Sequence, residues 1–380
     1  MLNRCKFFVL LALAAVLCPV DRALADVVVD GTFGPGALYR LVRPTNWNGR
    51  LVVYAHGYVS PDQPIAIPSE ANQITALLTS QGVAVAVSSF SENGWAVKDG
   101  MLRTHQLLGI FTSKLGSPSR VYAAGASMGG LIAIGLVETY PDKFSGVLPA
   151  CAVAGGLQRQ LDYFANVRVL FDLFYPGVLP GSAVDVPAGI NVSSQIVRPA
   201  IAAMTADPAK AFAIASIAQT PAQFANGAEL IESIATALGG AAGYPAVLSF
   251  THGKAFFDNS ATQYTGALSA ATLYWINANV QRFAASPAGL EYVSHNYTPT
   301  GDLRIPALTL STFRDPTVPS FQRAAYGAAV AAAGNANLLV QRSVLGTANG
   351  YGHCTFTPLE ISNAFSDLVL WAEYGVKPTP

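Results

Sequence analysis

The sequence predicts an α/β fold: a mostly parallel central sheet flanked by helices, with a large helical cap insertion. Three observations predict it. Short apolar runs alternate with helix-period segments in the first 154 residues and again after residue 302, the pattern of strands buried on both faces by crossover helices. A Gly-x-Ser-x-Gly segment stands between one apolar run and one helical stretch. Between residues 155 and 302 the strand-like runs mostly vanish and Ala-rich helical stretches replace them.

Taken in order, Ala37 to Val42 reads as an early strand, and Leu51 to Ala55 as a buried strand ended by His56-Gly57. Gly82 marks the turn into a third strand, Val83 to Val87. Val121 to Ala124 follows, then a helix over Gly129 to Tyr140. Gly146 to Ala150, Ala307 to Leu310 and Leu338 to Val344 read as the remaining strands, and Leu359 to Tyr374 as a closing amphipathic helix. Within the insertion, Ala209 to Ala218 and Glu229 to Leu238 carry the clearest helical patterns. The expected organisation is a core over 26–154 and 303–380, interrupted by a cap over 155–302.

The chain has 380 residues, 22 basic and 22 acidic, with 51% hydrophobic and 12% charged residues. Such neutrality lacks the basic footprint of a nucleic-acid binder. The low charge and the 34 glycines fit a compact, well-buried protein rather than a disordered one. Residues 1–25 read as a signal peptide: Arg4 and Lys6, an apolar run from Phe7 to Leu17, then Ala23-Leu24-Ala25 as a small-x-small cleavage site. That run is shorter than the ~20 residues a membrane helix needs. No other stretch reads as a span, so the expectation is a secreted or periplasmic protein cleaved near Ala25 with no stable membrane insertion. Oligomeric state is not legible.

Gly125-Ala126-Ser127-Met128-Gly129 is the sharpest local signal. A strand-to-helix turn exposes the serine hydroxyl, and the helix N-terminus offers an amide to a developing oxyanion. Serine needs a base. Of the five histidines, His353 alone follows the last strand and precedes the last helix, at the carboxyl end of the sheet. His56 fits a structural role better, and His105, His252 and His295 lie in helical or cap stretches. Asp315, just after the strand Ala307 to Leu310, is the candidate carboxylate to orient the imidazole; Asp302 precedes that strand, and Glu360 stands where it would cap the final helix. For the oxyanion, the amide of Met128 and that of Tyr58 are the expected donors, with Gly57 as the alternative to Tyr58. Removal of the leader would leave two cysteines, Cys151 and Cys354, both expected at the carboxyl end of the sheet. An even count in an exported chain favours a disulfide that would tie the His353 loop to the core; two free thiols are the other reading, and distance decides between them. No Walker loop, Rossmann fingerprint, H-E-x-x-H, C-x-x-C or EF-hand loop is present, so no cofactor or metal is expected.

His56-Gly57-Tyr58, Gly125 to Gly130, Asp315-Pro316-Thr317-Val318-Pro319 and Gly352-His353-Cys354, in that order, resemble the α/β-hydrolase superfamily over residues 30 to 155 and 303 to 375. Ser91 to Val97 and the Gly-His-Cys pattern also look like a group of exported bacterial serine esterases or prolyl-oligopeptidase-like hydrolases. Tannases and feruloyl esterases are similar in having a large insertion and a cysteine beside the histidine. Their pattern also places a cysteine before the nucleophile, where this chain has Ala126. The resemblance implies a Ser127–His353–Asp315 triad acting on a small-molecule or polymeric ester through an acyl-enzyme. A serine peptidase of prolyl-oligopeptidase or aminopeptidase type is the alternative. An exopeptidase would need acidic groups for a free amine, for which Asp258, Glu229 and Glu232 are the cap's candidates.

Overall fold

A computed structural model describes residues 25–221 and 226–380. The expected leader is outside the described residues, apart from Ala25 at its cleavage site. Eight strands form one sheet: β1 (Val27–Phe33), β2 (Ala37–Arg43), β3 (Arg50–Ala55), β4 (Ala84–Ser88), β5 (Arg120–Ala126), β6 (Gly146–Ala150), β7 (Ala307–Thr312) and β8 (Leu339–Val344). Their spatial order is β1-β2-β4-β3-β5-β6-β7-β8. β2 pairs antiparallel with β1 and β4, and every pair from β4 to β8 is parallel. This is the sheet of the α/β-hydrolase fold, as the motifs lead one to expect.

The helices are α1 (Ser69–Thr79), α2 (Val97–Leu115), α3 (Met128–Thr139), α4 (Leu157–Phe174), α5 (Arg198–Ala206), α6 (Pro208–Ala218), α7 (Gly227–Ala241), α8 (Tyr244–Phe250), α9 (Ala270–Asn279), α10 (Pro287–His295), α11 (Ser320–Ala332) and α12 (Pro358–Tyr374). The described residues between β6 and β7 hold α4 to α10, a π-helical turn at Val192–Val197 and no strand.

The parallel strands are apolar on both faces because both faces are covered. Val52, Tyr54, Ala124, Leu148 and Leu310 point to one side, where they meet Leu78 of α1 and Phe365 and Leu368 of α12. Leu51, Val53, Ala123 and Val147 point to the other, against Leu107 of α2 and Leu131, Ile132 and Leu136 of α3. Helix α3 is apolar all round and buried over ten consecutive residues, Met128 to Val137, as a helix inside a protein must be. Each of its large aliphatic side chains contributes roughly 1.5–3 kcal/mol by leaving water. The helix that carries the candidate nucleophile is therefore among the most deeply anchored elements.

One sequence expectation needs correcting. The run Gly227–Phe250 is long and apolar enough to cross a membrane by length and composition. Its apolar content has an internal use: Leu230, Ile234, Ala237 and Leu238 are buried, and α7 packs on α4, α5 and α6.

Candidate active site

Ser127 sits between β5 and α3 at φ 58°, ψ −122°. That left-handed conformation costs a non-glycine residue on the order of 1–3 kcal/mol, and the neighbourhood enforces it. The Ser127 amide donates to the Ala150 carbonyl at 2.9 Å, while its own carbonyl accepts from the amides of Gly130, at 3.0 Å, and Val153, at 3.2 Å. The turn is tight enough to demand glycine around it. A Cβ on Gly125 would collide with the carbonyl of Gly129, and one on Gly129 with the carbonyl of Ala55.

Asp315 and His353 come together across loops that follow β7 and β8. His353 Nδ1 donates to Asp315 Oδ2 at 2.7 Å. Asp315 is only 3% exposed, yet its carboxylate is satisfied: Oδ1 accepts the amides of Thr317 and Val318, each at 2.9 Å. The two loops are themselves joined. The Arg314 amide donates to the Gly350 carbonyl at 2.7 Å, and the Gly352 amide returns to the Arg314 carbonyl at 3.0 Å. Thr312 Oγ1 donates to the Gly352 carbonyl at 2.7 Å. Ser127 and His353 line one cavity of about 560 Å³.

The cap braces both loops. Arg314 Nε pairs with Glu229 Oε1 of α7 at 2.6 Å, and Ser233 of the same helix shares a hydrogen bond with the Tyr351 hydroxyl at 3.0 Å. Burial raises that phenol to about 12, so it stays protonated. From α4, Gln160 donates to the Thr317 carbonyl at 2.7 Å and Tyr163 to that of Pro316 at 3.1 Å. None of these ties had a sequence signal, because each joins residues at least 85 positions apart.

The disulfide expected as one of two readings is formed: Cys151, just after β6, is bonded to Cys354 with a Cα–Cα distance of 5.3 Å. His353 Nδ1 or Nε2 lies near these sulfurs. The sulfurs are bonded to each other, so they are not the thiolates a metal would need.

Opposite the histidine, the two candidate amides differ. Gly57 N–H donates to Glu70 Oε1 at 3.0 Å, whereas Tyr58 N–H makes no such bond. The Tyr58 segment is pinned by the Gly94 amide, which donates to the Val59 carbonyl at 2.8 Å. His56 is buried, bonded through Nδ1 to the Gly57 carbonyl at 2.7 Å and stacked on Phe90 at 3.9 Å. Its pKa is lowered because burial disfavours the charged ring, which suits a neutral structural group. His105 stacks on Tyr140 at 4.1 Å, and His252 and His295 are exposed. Asp302 is exposed beside Arg304, and Glu360 caps α12 with Thr357.

No family model matches the chain, and no curated relative matches it in sequence. Solved structures similar to it include an esterase from Aspergillus oryzae, at 15% identity, 93% of this chain, 80% of that one and a TM-score of 0.48. Another is a proline iminopeptidase from Mycobacterium smegmatis, at 12% identity, 92% of this chain, 100% of that one and a TM-score of 0.46. A third is the Pyrococcus furiosus esterase Pf2001, at 10% identity, 94% of each chain and a TM-score of 0.43.

Proposed function

We propose that the protein is a serine hydrolase that cleaves carboxylic esters, with Ser127 as nucleophile, His353 as general base and acid, and Asp315 as the group that orients the imidazole. The observation that carries this reading is the 2.7 Å His353–Asp315 bond on the wall of the cavity that Ser127 also lines. With Nδ1–H given to Asp315, the imidazole has Nε2 free to take the Ser127 proton. The hydroxyl oxygen then attacks the ester carbonyl. The oxyanion is held by the amides of Met128 and Tyr58, each such donor being worth roughly 2.7–4 kcal/mol; the engagement of Gly57 N–H by Glu70 favours Tyr58 over Gly57. The imidazolium passes its proton to the departing alcohol, and a water activated by the same nitrogen releases the acid from the acyl-enzyme.

The exopeptidase alternative loses its main support. Glu229 is paired with Arg314, and Asp258 accepts from the Ser260 hydroxyl and the Ala285 amide. Both are committed to other groups rather than poised for a substrate amine, and Glu232 is exposed on a cavity that Ser127 does not line. The disulfide is consistent with action in an oxidising compartment.

The test is turnover of p-nitrophenyl esters beside aminoacyl and prolyl p-nitroanilides, with Ser127→Ala in parallel. Ester turnover that drops by about 10⁴-fold or more in the variant is expected. Dominant anilide turnover would make the protein a peptidase, and activity that survives in Ser127→Ala would end the serine mechanism.

A further inference from the structure

Two cavities share Ser127. One, of about 560 Å³, runs over the sheet between α1 and α12; its walls include Ile74, Leu148, Leu310, Phe356 and Ile361, together with His353. It exists because the central strand β5 presents small side chains, Ala124 and Ala126, between the larger Tyr54 and Leu148. Its rim carries half-buried Ile74 and Ile361 and exposed Gln73. The other, of about 790 Å³, lies under the cap and is lined by Tyr58, Trp95 and Phe164 with Pro187 and Ala246. Its rings form a tilted series, Tyr58 to Trp95 at 5.4 Å between centroids and Trp95 to Phe164 at 6.5 Å. Ser127, Tyr58 and Thr317 belong to both cavities, but His353 lines only the first.

Resting on the hydrolase reading above, we infer that the two cavities divide the ester. The alcohol lies in the α1–α12 groove, and the acyl group under the cap against the aromatic rings. Proton delivery fixes the direction. The leaving oxygen must take a proton from His353 Nε2 as its bond to the carbonyl carbon breaks, so the alcohol departs on the side that His353 walls. The acyl group, which stays on Ser127 Oγ, then falls to the cavity without the histidine. The linings name the chemistry. Flat aromatic groups pack well at offset or tilted angles on such rings, which selects an aryl-bearing acyl group. The groove offers mixed apolar walls, with Ile74, Leu148, Leu310 and Ile361 beside Tyr54, Phe356 and Phe365, and one carboxylate, Glu70, which favours an uncharged, apolar alcohol over an anionic one.

Acylation and deacylation separate the two sides, because the alcohol has left before water attacks. Two series are measured as kcat/KM: p-nitrophenyl esters from acetyl to benzoyl and cinnamoyl, and alkyl benzoates from methyl to octyl followed by proton release. Ile74→Trp and Ile361→Trp narrow the groove from opposite walls; Trp95→Ala and Ala246→Trp alter the cap side. The groove variants are expected to lower the octyl-to-methyl ratio by about tenfold or more. The cap variants are expected to lower the aryl-to-acetyl ratio by a similar factor and to change the deacylation rate of a trapped benzoyl-enzyme, which the groove variants do not. The reverse pairing overturns the assignment, as does a panel in which neither ratio moves in correctly folded variants. A benzoyl adduct on Ser127, seen by mass, keeps that failure distinct from failure of the serine mechanism, in which no adduct forms.

Discussion

Two carboxylates of this chain, Asp315 buried and Asp162 half-buried, have opposite fortunes. Asp315 gathers two amides and an imidazole. Asp162 on α4 receives one side-chain bond, from Gln158 at 2.8 Å, and burial raises its pKa to about 6. The folded protein therefore binds that proton more tightly than the unfolded chain. The stability that Asp162 contributes falls as pH rises from roughly 4 to 6 and is not regained above that. Asp162→Asn is expected to raise Tm at pH 8, by the equivalent of up to about 2 kcal/mol, and to leave it near wild type at pH 4. Thermal scans at the two pH values check this, and an equal loss at both would mean the carboxylate is needed for its bond. At this scale the sequence was most legible where a residue type has few explanations. The placements of Ser127 between a strand and a helix, and of His353 after the last strand, are such cases. The engagement of the Gly57 amide by Glu70, thirteen residues away, was not legible.

Among the elements, α12 bears most directly on the site. Thr357 and Glu360 form a capping box, and Glu360 also accepts the Gly346 amide at 3.0 Å. One carboxylate thus grips both ends of the loop that contains His353. Although burial opposes it, the Thr357 and Gly346 amides hold the Glu360 pKa below its usual value. Thr357→Ala is expected to cost about 1 kcal/mol and, on the proposed mechanism, to lower kcat more than it raises KM, since it loosens the loop that holds His353; a thermal scan and steady-state kinetics read the two effects. Strands with continuous apolar runs were read to within two residues, β6 to its ends. The hairpin strand β1 was missed. It is an edge strand of half-exposed and exposed positions, so it lacks the continuous apolar signal. Helix α1 was missed for a related reason: it buries only Ala71, Thr75 and Leu78, too few to stand out as a period.

For the molecule as a whole, the insertion between β6 and β7 is joined to the candidate site. Glu229, Ser233, Gln160 and Tyr163 all hold the Asp315 or His353 loops, contacts that depend on three-dimensional packing and leave no local pattern. The Cys151–Cys354 bond was legible as a pair of positions at one end of the sheet, and its formation was left to geometry. Its two residues are 203 positions apart. In the chain-entropy account a closure of that size stabilises by about 5 kcal/mol. Cys354→Ala is expected to lower Tm and, because the neighbouring residue is His353, to lower kcat as well; wild type in reductant should match it in both assays. Unchanged kcat in the variant would separate the bond from the position of His353.

The same bond gives the covalent skeleton an unusual outline: a closed ring from Cys151 to Cys354 with two tails. One tail carries Ser127, and the ring carries Asp315, His353 and the whole insertion. A single peptide-bond cut in the insertion opens the ring but sheds nothing. A nicked molecule would remain one covalent piece, with the serine, aspartate and histidine still attached to each other through sulfur.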